Sequence, residues 1–238
     1  MQSKPFKFKQ FEVQQDKCAM KIGTDGVLLG AWATTKHQPF AILDIGAGTG
    51  VVALMLAQRC NAEIIDAIEI EGNAYEQCVT NFENSPWADR VFCYHASLAE
   101  FVDEIDDKYD LIVSNPPFFT NAFKSEKETR DLARYEDALP FEELILGASK
   151  LLENMGKFVV IIPFSEEESF INLARRYQLF TNNIIHVKGT PNSEIKRSLI
   201  EFSFIKSEVS IKDLVIETKR HHYTQDYINL TKEFYLKM

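Results

Sequence analysis

Residues 41–50 read Ala41-Ile-Leu-Asp-Ile-Gly-Ala-Gly-Thr-Gly50, an apolar run that breaks into alternating glycines. Phe40–Ile45 has the length and composition of a buried strand and Val51–Cys60 those of a helix, so the glycines fall on the turn between them. Gly46, Gly48 and Gly50 let the backbone turn sharply and approach a ligand with no Cβ in the way. Nineteen residues after Gly50, at the end of the next apolar stretch, stands Glu69. A carboxylate there can accept both hydroxyls of a ribose lying across the carboxyl edge of a sheet. A tight turn beside a surface glutamate is the plainer alternative. The order of strand, glycines, helix, strand and acid weighs against it.

Outward from this loop, short apolar strands alternate with helices. Further strands are expected at Ile64–Ile70, Val91–His95, Tyr109–Ser114 and Phe158–Ile162, with helices near Asn73–Glu83, Leu98–Glu104 and Phe141–Leu152. That alternation predicts an α/β, doubly wound, mostly parallel sheet with helices on both faces. A helix near Glu166–Gln178, a strand at Ile184–Val187, an alternating strand at Ser198–Ile205, a loop at Glu217–Thr224 and a helix at Gln225–Leu236 complete the reading. No repeat or linker divides the chain, so residues 1–238 are expected to form one domain. Residues 1–36 serve it as an N-terminal arm and lead-in, with Thr24-Asp25-Gly26 as a helix cap.

The chain has 238 residues, 45% hydrophobic and 26% charged, enough for a core and against global disorder. No apolar run nears the roughly 18 residues that span a bilayer. The opening MQSKPFKFKQF lacks the apolar stretch of a signal peptide, and Cys18, Cys60, Cys78 and Cys93 form no CxxC pair. These features predict a cytoplasmic protein with reduced thiols and no metal site. The net charge of −9 argues at first against a polyanionic partner. It is unevenly spread: residues 61–110 hold thirteen acids against Arg90 and Lys108, leaving the termini and late loops free to be basic.

A second motif, Asp110-Leu-Ile-Val-Ser-Asn115-Pro116-Pro117-Phe118, ends the fourth strand of the alternating series. Two prolines halt the strand and keep the residue before each out of the helical region. The Asn115 side-chain oxygen and the Pro116 carbonyl are thereby held at the strand end, where they can accept both hydrogens of an amine. Such acceptors favour a tetrahedral nitrogen, and their hold strengthens toward the transition state of an attack by that nitrogen. Phe118 can stack on a flipped-out base. The charged stretch from Pro116 to Pro140 is long for a connection, which marks a functional or mobile loop.

Gly48–Ala53 also satisfies the looser G-x-G-x-x-A dinucleotide pattern, which keeps a nicotinamide oxidoreductase in view. Asp44, just before the glycines, opposes a pyrophosphate and suits a cationic sulfonium or ammonium. The D-x-G-x-G-x-G form resembles the cofactor loop of class I S-adenosylmethionine-dependent methyltransferases. That resemblance implies a seven-stranded sheet with an antiparallel last strand, S-adenosylmethionine as cofactor, Asp44 and Gly46 near its methionyl end, and Glu69 at its ribose. It also implies an adenine contact after the third strand, where Ser97 stands in place of the usual Asp.

N-P-P-F resembles the methyltransferases that act on adenine N6, guanine N2 and glutamine amides. The stretch Met20–Trp32, Ala133-Arg-Tyr-Glu136, Lys196-Arg197 and the ending Glu233-Phe-Tyr-Leu-Lys are similar to the bacterial tRNA(Val) adenine-N6 methyltransferase family. This resemblance runs from about Phe6 to Lys237. It implies methylation of the adenosine 3′ of the anticodon in tRNA, with Asn115, Pro116 and Phe118 catalytic. The implied cofactor contacts are Thr24, Asp44, Gly46, Gly48, Gly50, Glu69, Ser97 and Asn115, and the substrate contacts are Asn115, Pro117, Phe118, Arg134, Lys196 and Arg197. Lys4, Lys7, Lys9, Lys219 and Arg220 are expected to meet phosphates around the active-site mouth. The rivals are a glutamine-amide methyltransferase of release factors, a DNA adenine methyltransferase and a noncatalytic RNA-binding module. The first usually carries a helical domain ahead of the glycine loop, whereas only 43 residues precede Asp44. The sequence leaves the oligomeric state open, and a monomer is compatible with it.

Overall fold

A computed structural model of the protein describes residues 4–117 and 139–238. The chain opens with a short hairpin, β1 (Phe6–Lys7) and β2 (Glu12–Val13), then helix α1 (Thr24–Trp32). Next come β3 (Ala41–Ile45), α2 (Val51–Arg59), β4 (Ile64–Glu69), α3 (Gly72–Glu83), β5 (Val91–His95), α4 (Leu98–Glu104) and β6 (Tyr109–Ser114). After the undescribed stretch follow α5 (Phe141–Leu151), β7 (Leu152–Pro163), α6 (Glu167–Arg176), β8 (Phe180–Lys188) and β9 (Ile195–Ser203). The chain ends with β10 (Ser210–Val215), the hairpin β11 (Glu217–Lys219) and β12 (His222–Tyr223), and α7 (Gln225–Thr231).

The main sheet has the order β10-β8-β9-β7-β6-β3-β4-β5. All neighbours are parallel except β9, which runs antiparallel to both β7 and β8. Along β7, Val159 and Ile161 enter one core with α1, α2 and α7, while Phe158, Val160 and Ile162 enter the other with α5 and α6. Both faces are thus covered, which is why the strands read as continuous apolar runs. The sheet is a doubly wound class I fold with one strand more than expected. β10 adds to the β8 edge, and its solvent-facing Lys212 and Asp213 mask the apolar pattern that marks the buried strands. The antiparallel strand is therefore β9, followed in sequence by a further parallel one.

Strand order reverses at β3, whose partners are β4 on one side and β6 on the other. Ligands of open α/β sheets bind at such a switch point, outside the carboxyl ends of the strands. The N-terminal arm reaches this edge by an indirect route. Phe11 meets Trp87 at 5.7 Å beyond the far end of α3, at the opposite edge of the sheet. From there the arm climbs α3: Gln14 N donates to Asn81 Oδ1 at 2.8 Å, and Lys17 N donates to Gln77 Oε1 at 2.7 Å. It arrives at Cys18, whose thiol is pushed up to about 12 by burial and by the charges of Glu69 and Glu71.

Candidate active site

The glycine loop is built from positive backbone angles, with φ of 74°, 56° and 77° at Gly46, Gly48 and Gly50. Only glycine adopts these without strain, but the surroundings of the three differ. A Cβ on Gly50 would lie 2.5 Å from Phe82 Cε1 and 2.8 Å from Cys78 Sγ, so this glycine lets α3 press against the loop. A Cβ on Gly46 or Gly48 would meet nothing within 4 Å. Those two leave open space around the loop, of the kind a nucleoside cofactor fills.

Glu69 closes the cradle. Its Oε2 accepts from Gly48 N at 2.8 Å and its Oε1 from Glu71 N at 2.9 Å, which fixes the carboxylate while leaving further lone pairs on each oxygen. Ile70 beside it is 56% exposed, an apolar surface next to this acid. Asn81 joins the arm to the loop, donating to both Gln14 O and Thr49 O at 2.9 Å. The donor set fits S-adenosylmethionine: an acid for the ribose, bare backbone for the chain, and apolar surface for the purine.

Asp44 lies beneath the loop rather than in it. Only 1% exposed, it accepts from Ala53 N at 3.2 Å, and burial pushes its carboxyl up to about 7. The Ala53 bond lowers that value and the charge of Glu69 raises it. Its influence on a ligand is therefore through the field and not through surface contact. Ser97 is the N-cap of α4, in a reciprocal capping box with Glu100. Its hydroxyl donates to Glu100 Oε2 at 2.7 Å and accepts from Glu100 N at 3.2 Å, so an adenine contact there competes with the cap.

On the other side of β3, Ser114 Oγ donates to Ile45 O at 2.9 Å, and Ser114 and Ile45 are register partners. The next residues, Asn115 and Gly46, therefore end neighbouring strands, with Asn115 and Pro117 half-buried and Pro116 buried. Phe118, Arg134 and the Ala133–Glu136 stretch lie outside the described residues.

Several expectations are corrected. Thr24-Asp25-Gly26 is not a cap: Gly23 occupies that position without a side-chain bond, and Thr24 begins the helix. Gly26 packs toward the loop, where an added Cβ would stand 3.4 Å from Val51 Cγ1. Asp25 instead accepts from Arg197 Nε at 2.8 Å. This pair engages Nε of a side chain expected to meet RNA phosphate, and ties the lead-in to β9. Lys196 is exposed and lies 3.5 Å from Glu194. Lys7 pairs with Glu12 at 3.0 Å, and Lys9 donates to Lys232 O at 2.6 Å. Both sit with the β1–β2 hairpin at the opposite edge of the sheet, away from the active-site mouth.

Comparison with known proteins identifies the family. The methyltransferase small domain family model matches residues 22–177. A Christiangramia forsetii protein named tRNA1(Val) (adenine(37)-N6)-methyltransferase is 60% identical, covering 100% of both chains. A Flavobacterium johnsoniae protein of the same name is 62% identical over 98% of this chain and 100% of its own. The chain belongs to this methyltransferase family. More distant members include a Bacteroides fragilis protein, 48% identical over 98% of each chain. Among solved structures, a predicted O-methyltransferase of Agrobacterium tumefaciens superposes with a TM-score of 0.68 at 19% identity, covering 88% of this chain and 96% of its own. A class I S-adenosylmethionine-dependent methyltransferase of Listeria monocytogenes gives 0.55 at 14% identity, covering 82% and 64%. At such identities these two establish the fold alone. Among the described residues, no helix is long and apolar enough to cross a membrane.

Sequence reasoning missed Ser114, Ile70, Asn81 and the Asp25–Arg197 pair. The first two look like ordinary strand-end residues. The last two act across 32 and 172 positions, which no local pattern signals.

Proposed function

We propose that this protein transfers the methyl group of S-adenosylmethionine to the N6 amine of an adenosine in tRNA. The target is the adenosine 3′ of the anticodon of tRNA1(Val), position 37 in the name its relatives carry. The observation that supports it most is the adjacency of Gly46 and Asn115, locked by the bond from Ser114 to Ile45. The two strand ends lie about 4.8 Å apart, one strand spacing, which supports reading them as the donor and acceptor sides of one reaction.

When bound, S-adenosylmethionine supplies a methyl group on a cationic sulfur, already activated for attack. The chain's own task is alignment. Glu69 holds the ribose, Gly46 and Gly48 admit the cofactor to backbone distance, Thr24 and Gly50 flank it, and Ser97 serves as the cap of α4. Ile70 offers a face to the adenine, and Asp44 favours positive charge above the loop. On the acceptor side the Asn115 side-chain oxygen and the Pro116 carbonyl take the two amine hydrogens and draw the nitrogen toward tetrahedral geometry. Pro117 and Phe118 contact the base, while Arg134, Lys196 and Arg197 belong to its approach. The amine proton departs after transfer, so no histidine or cysteine base is required.

In this reading residues 1–238 act as one cytoplasmic methyltransferase domain, with residues 1–36 as its arm and lead-in. Glutamine-amide methylation shares the loop and the NPP motif but is disfavoured by tRNA-named relatives that match the whole chain. The test is methylation of bulk tRNA from a strain lacking the enzyme, followed by nucleoside mass spectrometry. N6-methyladenosine is expected in tRNA1(Val); any other product overturns the reading.

A further inference from the structure

The row of strand ends continues past the acceptor motif. Register sets Pro163 of β7 opposite Arg197 of β9, Arg197 opposite Val187 of β8, and Lys188 opposite Val215 of β10. The chain leaves β10 directly into the β11–β12 hairpin, so hairpin and Asn115 share the carboxyl edge of the sheet. Four strand spacings, about 19 Å, separate the end of β6 from that of β10.

The hairpin tip carries Lys219, Arg220, His221 and His222, all exposed. Its base is pinned. Thr224 N donates to Ile216 O at 2.9 Å and Glu217 N to Gly189 O at 2.9 Å, and Thr224 Oγ1 donates to Val215 O. Tyr223 packs on Tyr227 of α7 at 5.2 Å. Other cations on this edge are each held by a carboxylate: Lys188 by Asp213 at 2.9 Å, Lys196 by Glu194 at 3.5 Å and Arg197 by Asp25 at 2.8 Å. Among the described residues, Lys219 and Arg220 have no such ion pair. At the near end of the row Phe164, 39% exposed, follows Pro163 and stands edge-on to His186 at 5.1 Å. Glu167 steadies His186 at 2.9 Å.

We propose that this edge, from Phe164 to the β11–β12 hairpin, is the surface that grips the backbone of the RNA. Lys219 and Arg220 meet phosphates, and Phe164 stacks under a nucleotide next to the target. A rigid prong with unpaired cations suits a polyanion, and an exposed aromatic beside the acceptor motif suits an unstacked base. The assignment rests on the RNA-methylation reading above. It explains how an acidic protein holds an acidic substrate: by an edge away from the acid-rich stretch 61–110, whose strands β4 and β5 lie at the other end of the sheet.

The test measures anisotropy of a fluorescein-labelled anticodon stem–loop of tRNA1(Val) across a salt series, and methyl incorporation in parallel. Lys219→Glu with Arg220→Glu should weaken binding at least tenfold and flatten the log–log salt slope by about 0.7–0.9 per lost phosphate contact. Its melting temperature and S-adenosylmethionine affinity should stay at wild-type values. Phe164→Ala should weaken binding with little change in slope, and Phe164→Trp should restore it. Lys7→Glu with Lys9→Glu, at the far edge, should change neither. An unaltered salt slope in the hairpin variant, with wild-type methylation intact, overturns this surface and leaves the enzymatic reading standing. Loss of binding in the hairpin variant of a protein that methylates no adenine would do the reverse.

Discussion

On one side of β3, the proposed cofactor cradle comes from a compact stretch: glycines 46–50, Glu69 and Ile70, joined by the arm. On the other side, the proposed acceptor edge is assembled from Asn115, Phe164, Arg197 and the hairpin at 217–223, four stretches far apart in the chain. The first region is fixed by backbone angles and short-range bonds such as Gly48 N to Glu69 at 2.8 Å. The second is fixed by sheet register and long-range pairs such as Arg197 with Asp25. Charge divides the same way: the thirteen acids of residues 61–110 lie in the cofactor half, while the far edge ends in a basic prong. A donor pocket recurs as a local motif, whereas recognition of a large acceptor is spread over whatever the sheet order brings to one edge.

The sharpest way to break this comparison is to show that one side does the other's work. Asn115→Ala should lower kcat by about 10²–10³, the usual cost of losing one preorganised transition-state partner, with cofactor affinity nearly unchanged. Glu69→Ala should instead weaken S-adenosylmethionine binding first, read by calorimetry. A normal kcat in the former, or a normal dissociation constant in the latter, would remove the division of labour.

Within the cofactor half, the glycines should separate. Gly50→Ala combines left-handed strain with a clash against Phe82 and Cys78, and should cost about 2–4 kcal/mol in urea unfolding. Gly48→Ala meets no neighbour, so its cost should stop at the strain of about 1–2 kcal/mol while cofactor affinity falls. Equal stability losses would show that the cradle is not open.

The buried acid gives a pH signature. With its folded value raised from 3.8 to about 7, neutral Asp44 contributes stability that is full below the lower value and lost as pH climbs through the upper one. A cation bound above the loop favours the ionised form, so binding releases a proton in this window. Affinity for S-adenosylmethionine should therefore fall by up to about tenfold per unit as pH drops below ~7, and Asp44→Asn should flatten that profile. Calorimetry in buffers of different ionisation enthalpy counts the proton directly. The smallest effect should come from Ser97→Ala: about 1 kcal/mol of stability from the lost cap, with cofactor affinity unchanged. A weakened affinity would restore Ser97 to the adenine.

The same contrast explains what could be read before folding. Val91–His95, Tyr109–Ser114 and Leu98–Glu104 match the expected bounds because buried strands and a capped helix carry their signals within a few residues. The glycine loop, Glu69 and Asn115 were legible for the same reason. The β10 strand was not, since an exposed edge strand has no apolar alternation to display. Nor was the fate of Arg197 or Lys9, whose partners are chosen by topology across 172 and 223 residues. Phe164 gave no signal because an aromatic after a strand reads as core until the register shows where it stands.

The position of β9 has a consequence for how the chain is made. It slots between β7 and β8, although β8 is synthesised first. A nascent chain therefore presents the open edge of β7, with the apolar run Phe158–Ile162, until residues 195–203 leave the ribosome. During that interval the protein carries an unpaired hydrophobic strand, the kind of edge that invites association with other chains. Chaperone demand and aggregation should peak in chains arrested between these two points, and vanish once the ninth strand slides home.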